Sequence, residues 1–487
     1  SGPISLLIYL LAASAVITGI ALTLGAWKPL FEAVTRISPV SPEFRIQLAD
    51  MIRTIGPIGM LSGTLLFFAK VVLSGQPGFR KLDLAVTGAA ALAIMAFFAQ
   101  VQPVTSLNGG LAWDGTQYYS MFHYFKNDSF PVIDNLGSVN PVFPYNQRVL
   151  VPWLAAHVPL AKVSDCFRMV NTGFLVAAAM ALYVLWVRLC AVPKYVALLG
   201  LSVFMFHWIG PFRTLNNCVF SVDAPVYLFE TLLLCAVYSR RYTWLLLIAT
   251  LATLCKEQFV YIFLVLVLYS AAHNRIFHER KYPIALFTGA TVLAFAVNAI
   301  EMRFPFKGVG FGGFTVAFFA WRRLYEPLSL VRWAVALFTA YGAIGMLSLI
   351  TASKKYIGFV NPRGESIALS VLFLVFSLCG ATDMTRVAFL GFPFITAWAL
   401  PRVSCHPWQS VLVSAFLTIP IMRLVQNIPE PTNPLPCNDQ TGYYSWMPEY
   451  ADLGIVTAWG LFFVVCWVLL SITRTKNVYG VASTQIE

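Results

Sequence analysis

Seven ionisable side chains in an otherwise apolar chain are candidates for chemistry: Asp114, Arg148, Asp223, Lys256, Glu257, Asp383 and Arg386. Asp114 stands in the segment Trp113-Asp114-Gly115-Thr116-Gln117-Tyr118-Tyr119. An aspartate can take the proton from a hydroxyl nucleophile, the glycine after it lets a second substrate approach the backbone, and paired tyrosines can flank a sugar or lipid. The alternative is an Asp that caps a short interfacial helix, with the tyrosines in an ordinary aromatic belt. Arg148 follows in Tyr145-Asn146-Gln147-Arg148-Val149-Leu150-Val151-Pro152. Its planar fork matches phosphate oxygens, although an arginine can equally snorkel to lipid headgroups. Lys256-Glu257 offers a phosphate contact and a carboxylate, or two charges that neutralise each other at a turn, which is the favoured reading. Asp383-Met384-Thr385-Arg386 adds another Asp and Arg, with a structural i, i+3 salt bridge as the alternative. Asp223 reads as the cap of a helix over 222–238.

Other chemistries lack their residues. The chain has no GxxxxGK[ST], HExxH or GxSxG pattern, and the glycine-rich run Gly308 to Gly313 has no βαβ unit around it. Its nine cysteines form no CxxC pair and no zinc-like spacing with histidine. A disulfide framework is not expected, Cys218 with Cys437 being the one pair that could meet at the outer face.

The elements that must position these residues are written in the composition. Of 487 residues, 59% are hydrophobic and 11% charged, against roughly 45–50% and 25% in a soluble protein. Soluble and disordered chains are both excluded. The apolar residues fall into blocks near the length that crosses about 30 Å of hydrocarbon. This predicts an all-α, polytopic transmembrane helical protein with about 11 to 14 crossings. The candidate spans are 3–25, 54–74, 84–102, 169–189, 195–210, 222–238, 243–255, 258–272, 283–301, 330–350, 366–381, 386–400, 408–426 and 453–472. The first is expected to be a membrane anchor rather than a cleaved signal.

The net charge of +12 is a topology signal, not a nucleic-acid footprint, so no nucleic-acid partner is expected. Basic residues gather in short connections, among them Arg80 with Lys81, Arg240 with Arg241, Arg275 to Lys281, and Lys354 with Lys355. The positive-inside rule puts these in the cytoplasm, and 427–452, with acidic residues and no Lys or Arg, on the other side. The parity requires that 149–161, interrupted by Pro152 and Pro159, lie at the outer surface without crossing. Segments 243–255 and 258–272 are read as a hairpin with Lys256-Glu257 at its apex, because each charge at mid-bilayer costs about 2.5–3.5 kcal/mol. Three long outer loops, 103–168, 302–329 and 427–452, are where function is expected. Segment 28–53 has the spacing of an amphipathic surface helix. No separate soluble domain is expected within 1–487.

With its motifs placed this way, the chain resembles the GT-C superfamily of integral-membrane glycosyltransferases. The resemblance rests on Trp113 to Tyr119 in a long outer loop, Tyr145 to Pro152, the Lys256-Glu257 turn, and Asp383 to Arg386 followed by Phe392-Pro393-Phe394. It implies horizontal helices and a catalytic carboxylate in the first large extracytoplasmic loop. It implies a polyprenyl-phosphate sugar as donor, a glycan or lipid-linked acceptor, and inversion at the anomeric carbon. Asp114 would be the base, Arg148, Lys256 and Arg386 the donor-phosphate ligands, and Tyr118, Tyr119, Gln147, Glu257 and Asp383 substrate contacts. No cofactor is required, and a divalent cation enters only if Asp114 converges with Asp383 or Glu257. The implied location is a bacterial inner membrane, with the site facing the periplasm or exterior. In that family the catalytic loop follows the first helix, whereas Asp114 follows the third apolar segment.

Two other readings compete. One is a flippase or transporter of a lipid-linked glycan, against which weigh the missing inverted repeats and the expectation that no acidic residue lies deep in a span. The other is a non-catalytic envelope scaffold.

Overall fold

The computed structural model describes residues 79–127, 145–276, 283–301, 328–350, 364–379, 384–423 and 453–475 apart from Pro103, Ala112 and Trp113, with scattered positions in 65–73 and 129–142. The chain falls into two compact units, Ser1–Pro103 and Val104–Glu487.

In the first unit, α1 (Lys81–Val101) is an apolar helix of 21 residues, about 30 Å long at 1.5 Å per residue. Its buried Asp83 is met by the guanidinium of Arg80, which also donates to the Val71 carbonyl at 2.7 Å.

The second unit begins with a stretch whose helices cannot cross. α2 (Gly115–Asn127) and α3 (Leu150–Ala156) have 13 and 7 residues, about 20 Å and 10 Å. Between them come a two-residue antiparallel strand pair, β1 (Val132–Ile133) and β2 (Gly137–Ser138), and a 3-10 turn over Tyr145–Gln147. Tyr118, Met121 and Phe122 of α2 pack with Val151, Phe167 and Phe220 in one apolar cluster. The 149–161 block therefore forms a short helix that does not span, as its prolines suggest.

The mostly apolar helices follow. They are α4 (Val163–Tyr183, continued by a π-helical turn over Val184–Leu189), α5 (Lys194–Phe206) running into α6 (Pro211–Asn217), α7 (Ala224–Tyr238), α8 (Trp244–Thr253), α9 (Gln258–Ile276) and α10 (Ile284–Glu301). After these come α11 (Ser329–Leu349), α12 (Gly364–Cys379), α13 (Met384–Leu390), α14 (Phe392–Val403), α15 (Trp408–Met422) and α16 (Leu453–Thr475).

Among the described residues six helices are long and apolar enough to cross a membrane, or seven if α13 and α14, bent by 70° to each other, count as one span. Shorter apolar helices at α7, α8, α9, α12 and α15 accompany them. The protein is thus an all-α, multi-pass membrane protein. Spans 3–25 and 54–74 lie wholly or largely outside the described residues, as do 28–53, 302–327 and 424–452. Each of the other expected spans coincides with a helix, or at 386–400 with the bent pair.

Hydrophobicity decides who faces lipid. α7 carries apolar side chains on every face, Glu230 and Thr231 apart, and nearly every side chain is buried, packed mainly on α4. α16 is just as apolar but leaves Leu461, Val464 and Trp467 exposed, as a helix at the lipid boundary does.

Candidate functional site

Four local contacts bring distant charges together. Gln117 of α2 accepts the Val142 amide at 3.1 Å, which ties α2 to the segment leading to Arg148. The Leu150 amide donates to the Leu254 carbonyl at 2.9 Å, joining the start of α3 to the turn that carries Lys256 and Glu257. Asn171, buried on α4, donates to the Ser221 carbonyl at 2.8 Å and fixes the loop that ends in Asp223. Gly115 lies so close to that loop that a Cβ there would sit 2.9 Å from Phe220 Cβ. Only glycine lets the residue after Asp114 come this near.

The result is a chain of ion pairs. Arg148 gives two parallel hydrogen bonds to Glu257, Nε to Oε2 at 3.0 Å and Nη2 to Oε1 at 2.7 Å, and a third from Nη1 to the Tyr118 hydroxyl at 3.0 Å. Its guanidinium also lies over the Tyr145 ring, 5.2 Å from the centroid. Asp223 takes Lys256 Nζ on Oδ1 at 2.8 Å, and Arg386 on Oδ2 through Nη2 at 2.6 Å and Nε at 3.1 Å. Asp114 is near enough for its charge to act on Tyr145, Tyr118 and Arg148.

The electrostatics follow from burial against pairing. Burial would raise Asp223, but Arg386 and Lys256 outweigh it and hold the carboxyl far below its usual range. Glu257 is likewise held below its ordinary value, burial being overcome by Arg148. Burial pulls Lys256 down, Asp223 opposes it, and the positive charges of Arg148 and Arg386 add to the fall. For Arg148, burial is outweighed by Glu257, so its charge is held firmly. Tyr118 and Tyr145 are pushed up, first by burial, and stay neutral hydroxyls.

Asp114, Tyr118, Arg148, Lys256, Glu257 and Arg386 therefore meet in one place, and Asp223 joins them. Several expectations are corrected. Lys256 and Glu257 do not neutralise each other, since each pairs with a residue from another element. Asp223 makes no side-chain cap to α7, because its carboxylate is taken by two cations. The Arg386 ion pair that the structure gives is with Asp223, 163 positions away, while Asp383 lies outside the described residues, as does Trp113. Tyr119 points into an aromatic cluster, 4.5 Å from His123 and 5.9 Å from Phe220 between ring centroids, rather than onto the charges. Gln147 is fully buried beside Arg148, and neither atom of its amide makes a hydrogen bond.

Two acidic residues carry no motif that marks them. Glu230 is fully buried inside α7, its Oε1 accepting Gln258 Nε2 at 3.0 Å and its Oε2 without a partner. Asp223, Tyr227 and Glu230 recur at helical spacing on one face of α7, a stripe that was readable in the sequence. Glu301, buried at the end of α10, has a partner for neither oxygen. Glu230 thus lies buried midway along an apolar helix, which weakens the expectation that weighed against a transporter.

Among the described residues no three His, Cys, Asp or Glu side chains gather as a metal-holding group. Comparison with family models, with curated proteins and with solved structures finds no match to this chain.

Chemically the site offers one carboxylate that differs from the rest. Asp223 and Glu257 are locked in ion pairs. Asp114, half-buried, makes no ion pair among the described residues and lies near Tyr145. Among the cations, Arg386 is the most open, with 35% of its side chain exposed against 10% for Arg148 and Lys256.

Proposed function

We propose that this protein is a membrane glycosyltransferase that moves a sugar from a polyprenyl-phosphate donor to a glycan or lipid-linked acceptor at the extracytoplasmic face. The resemblance to GT-C enzymes motivates the class. The observation that carries it is the division of labour among the carboxylates. A general base must be free to take a proton, and ion pairing with arginine or lysine makes a carboxylate a poor base. Among the described carboxylates of the cluster, Asp114 is the one that is not so paired.

In this reading Asp114 accepts the proton of an acceptor hydroxyl as its oxygen bonds to the anomeric carbon. The bond from that carbon to the phosphate oxygen breaks, and the lipid phosphate leaves with the electron pair. Attack from the face opposite the leaving group inverts the anomeric centre. Arg386 is the cation that the phosphate meets first, with Lys256 behind it. Because Asp223 already holds both, phosphate must share them with that carboxylate. Preorganised charge in a poorly solvated site stabilises the charge that develops on the leaving phosphate. The polyprenyl chain stays in the bilayer while the acceptor arrives from water.

A second reading, a carrier of lipid-linked glycan, draws on Glu230, since an acidic residue inside a span is costly and commonly functional. One incubation with radiolabelled polyprenyl-phosphate sugar separates the two, giving a new glycoside or only movement between leaflets. For the enzyme, Asp114→Asn and Asp114→Ala are expected to lower transfer by roughly 10²-fold or more in purified protein. Near-normal turnover in either variant overturns the assignment of the base.

A further inference from the structure

Beside the Arg148–Glu257 pair two side chains are buried with nothing to bond. Gln147 is 0% exposed and both its Oε1 and Nε2 lack a hydrogen-bond partner. Glu301 is 1% exposed and both carboxylate oxygens lack one. α10, which ends in Glu301, packs against the 145–147 turn that carries Gln147. The charge of Glu257 acts on Glu301, and that of Glu301 on Cys255, so Glu301 stands near the same corner of the site.

Leaving such groups unpaired in a protein interior is expensive, and each one in a folded protein calls for an explanation. The donors and acceptors on offer narrow the guest. An anion is disfavoured by the charge of Glu257 close by. A cation is opposed by the amide NH₂ of Gln147, and burial disfavours the ionised form of Glu301 that would hold it. An apolar group leaves every atom unmatched. Hydroxyl groups fit, since each both donates and accepts: a carboxyl group can exchange hydrogen bonds with two adjacent hydroxyls, and an amide can accept one O–H while donating to another oxygen.

We propose that Gln147 and Glu301 form a hydroxyl-binding subsite that holds the sugar ring of the donor. The Glu301 carboxyl hydrogen-bonds neighbouring ring hydroxyls and Gln147 supplies the donor and acceptor that complete them. The phosphate is held elsewhere, at Arg386 and Lys256. The identity of the polyol as a donor sugar rests on the function proposed above; the subsite itself rests on the buried, unpaired atoms.

The test compares two ligands by equilibrium binding to the purified full chain in lipid nanodiscs: a polyprenyl phosphate, and the same lipid carrying a hexose. Wild type is expected to prefer the hexosyl lipid by about tenfold or more, the factor that about 1.4 kcal/mol of added binding supplies. In Gln147→Met and Glu301→Met, which keep the volume but remove the polar atoms, the preference is expected to fall to within about twofold while bare-lipid affinity is unchanged. Both variants keeping the full preference overturns the subsite. If wild type binds the bare lipid but gains nothing from the hexose, the subsite also fails, while the phosphate-binding half of the functional reading stands. If wild type binds neither lipid, the donor reading itself fails and takes this proposal with it. Should a variant lose the bare lipid too, the question moves to the ligand on wild type. A donor lacking one of the contacted hydroxyls is then expected to bind as weakly as the bare lipid, and equal binding of every singly deoxygenated donor overturns the proposal.

Discussion

Asp223 bears the greatest electrostatic demand of any single side chain in the site, because it answers two cations delivered by different elements. Removing its charge leaves Lys256 buried without a counter-ion, and breaking such a pair costs up to about 3–5 kcal/mol. The Arg386 half is worth less, since water reaches about a third of that side chain and screens it. Asp223→Asn is therefore expected to lower the thermal midpoint clearly, as read by scanning fluorimetry in detergent, whereas an unchanged midpoint would deny the ion pairs any structural weight. The pH dependence has a definite sign. Asp223 and Glu257 are both held below their ordinary values. Their contribution is thus complete above the unfolded carboxylate range and is lost as pH falls below about 4, where the unfolded chain binds the protons first. Lys256 acts oppositely: being lowered, it costs stability while charged, and that cost fades as pH rises toward the unfolded lysine value. A midpoint that drops below about pH 4, with a shallower drop in Asp223→Asn, is the expected curve. These pairings could not be read from spacing. Sequence offers neighbours, so Lys256 with Glu257 and Asp383 with Arg386 looked self-contained, and Asp223 before Ala224-Pro225 looked like a helix cap. The observed partners are 33, 109 and 163 residues apart.

The elements were more legible than the pairs, because a block of apolar residues has few other fates in a membrane chain. What the blocks did not reveal is where a span breaks. Segment 386–400 reads as one helix, yet α13 and α14 meet at 70°. The cause is local and visible afterwards: Gly391 precedes Phe392-Pro393, and a proline is welcome in the first turn of a new helix but not in the middle of an old one. The bend matters for function because α13 carries Arg386. A Cβ at position 391 would lie 2.6 Å from Phe373 Cβ on α12, and neither atom is the end of a flexible side chain that could swing away. Gly391→Ala should force α12 and the bend apart and cost roughly 1–3 kcal/mol, as overpacking does. Gly173, within α4, meets nothing within 4 Å. Gly173→Ala is expected to be neutral or to stabilise by up to about 1 kcal/mol through helix propensity. Similar thermal midpoints for the two variants would mean that the break at Gly391 is not held by this contact.

For the whole molecule, scarcity of charge is what organises the chain. With 11% of residues charged, most of those charges must either mark a membrane face or be paired inside it. α7 joins the two uses. Asp223 stands at its start with the ion-pair cluster, and Arg240 and Arg241 are exposed just past its end. Its 15 residues separate these points by about 22 Å at 1.5 Å per residue. If the positive-inside rule holds here, the arginines lie in the cytoplasm and the cluster lies toward the opposite face. Ser239 and Ser106 are both exposed, one beside the arginines and one in the stretch before Asp114. With a membrane-impermeant maleimide and the parent chain as background, Ser239→Cys is expected to be labelled only from the cytoplasmic side and Ser106→Cys only from the other. Labelling of both from one side would overturn this orientation, and with it an outward-facing site. Labelling from opposite sides in the reverse sense would keep the architecture but turn the site toward the cytoplasm, where a lipid-linked donor would have to be loaded from within.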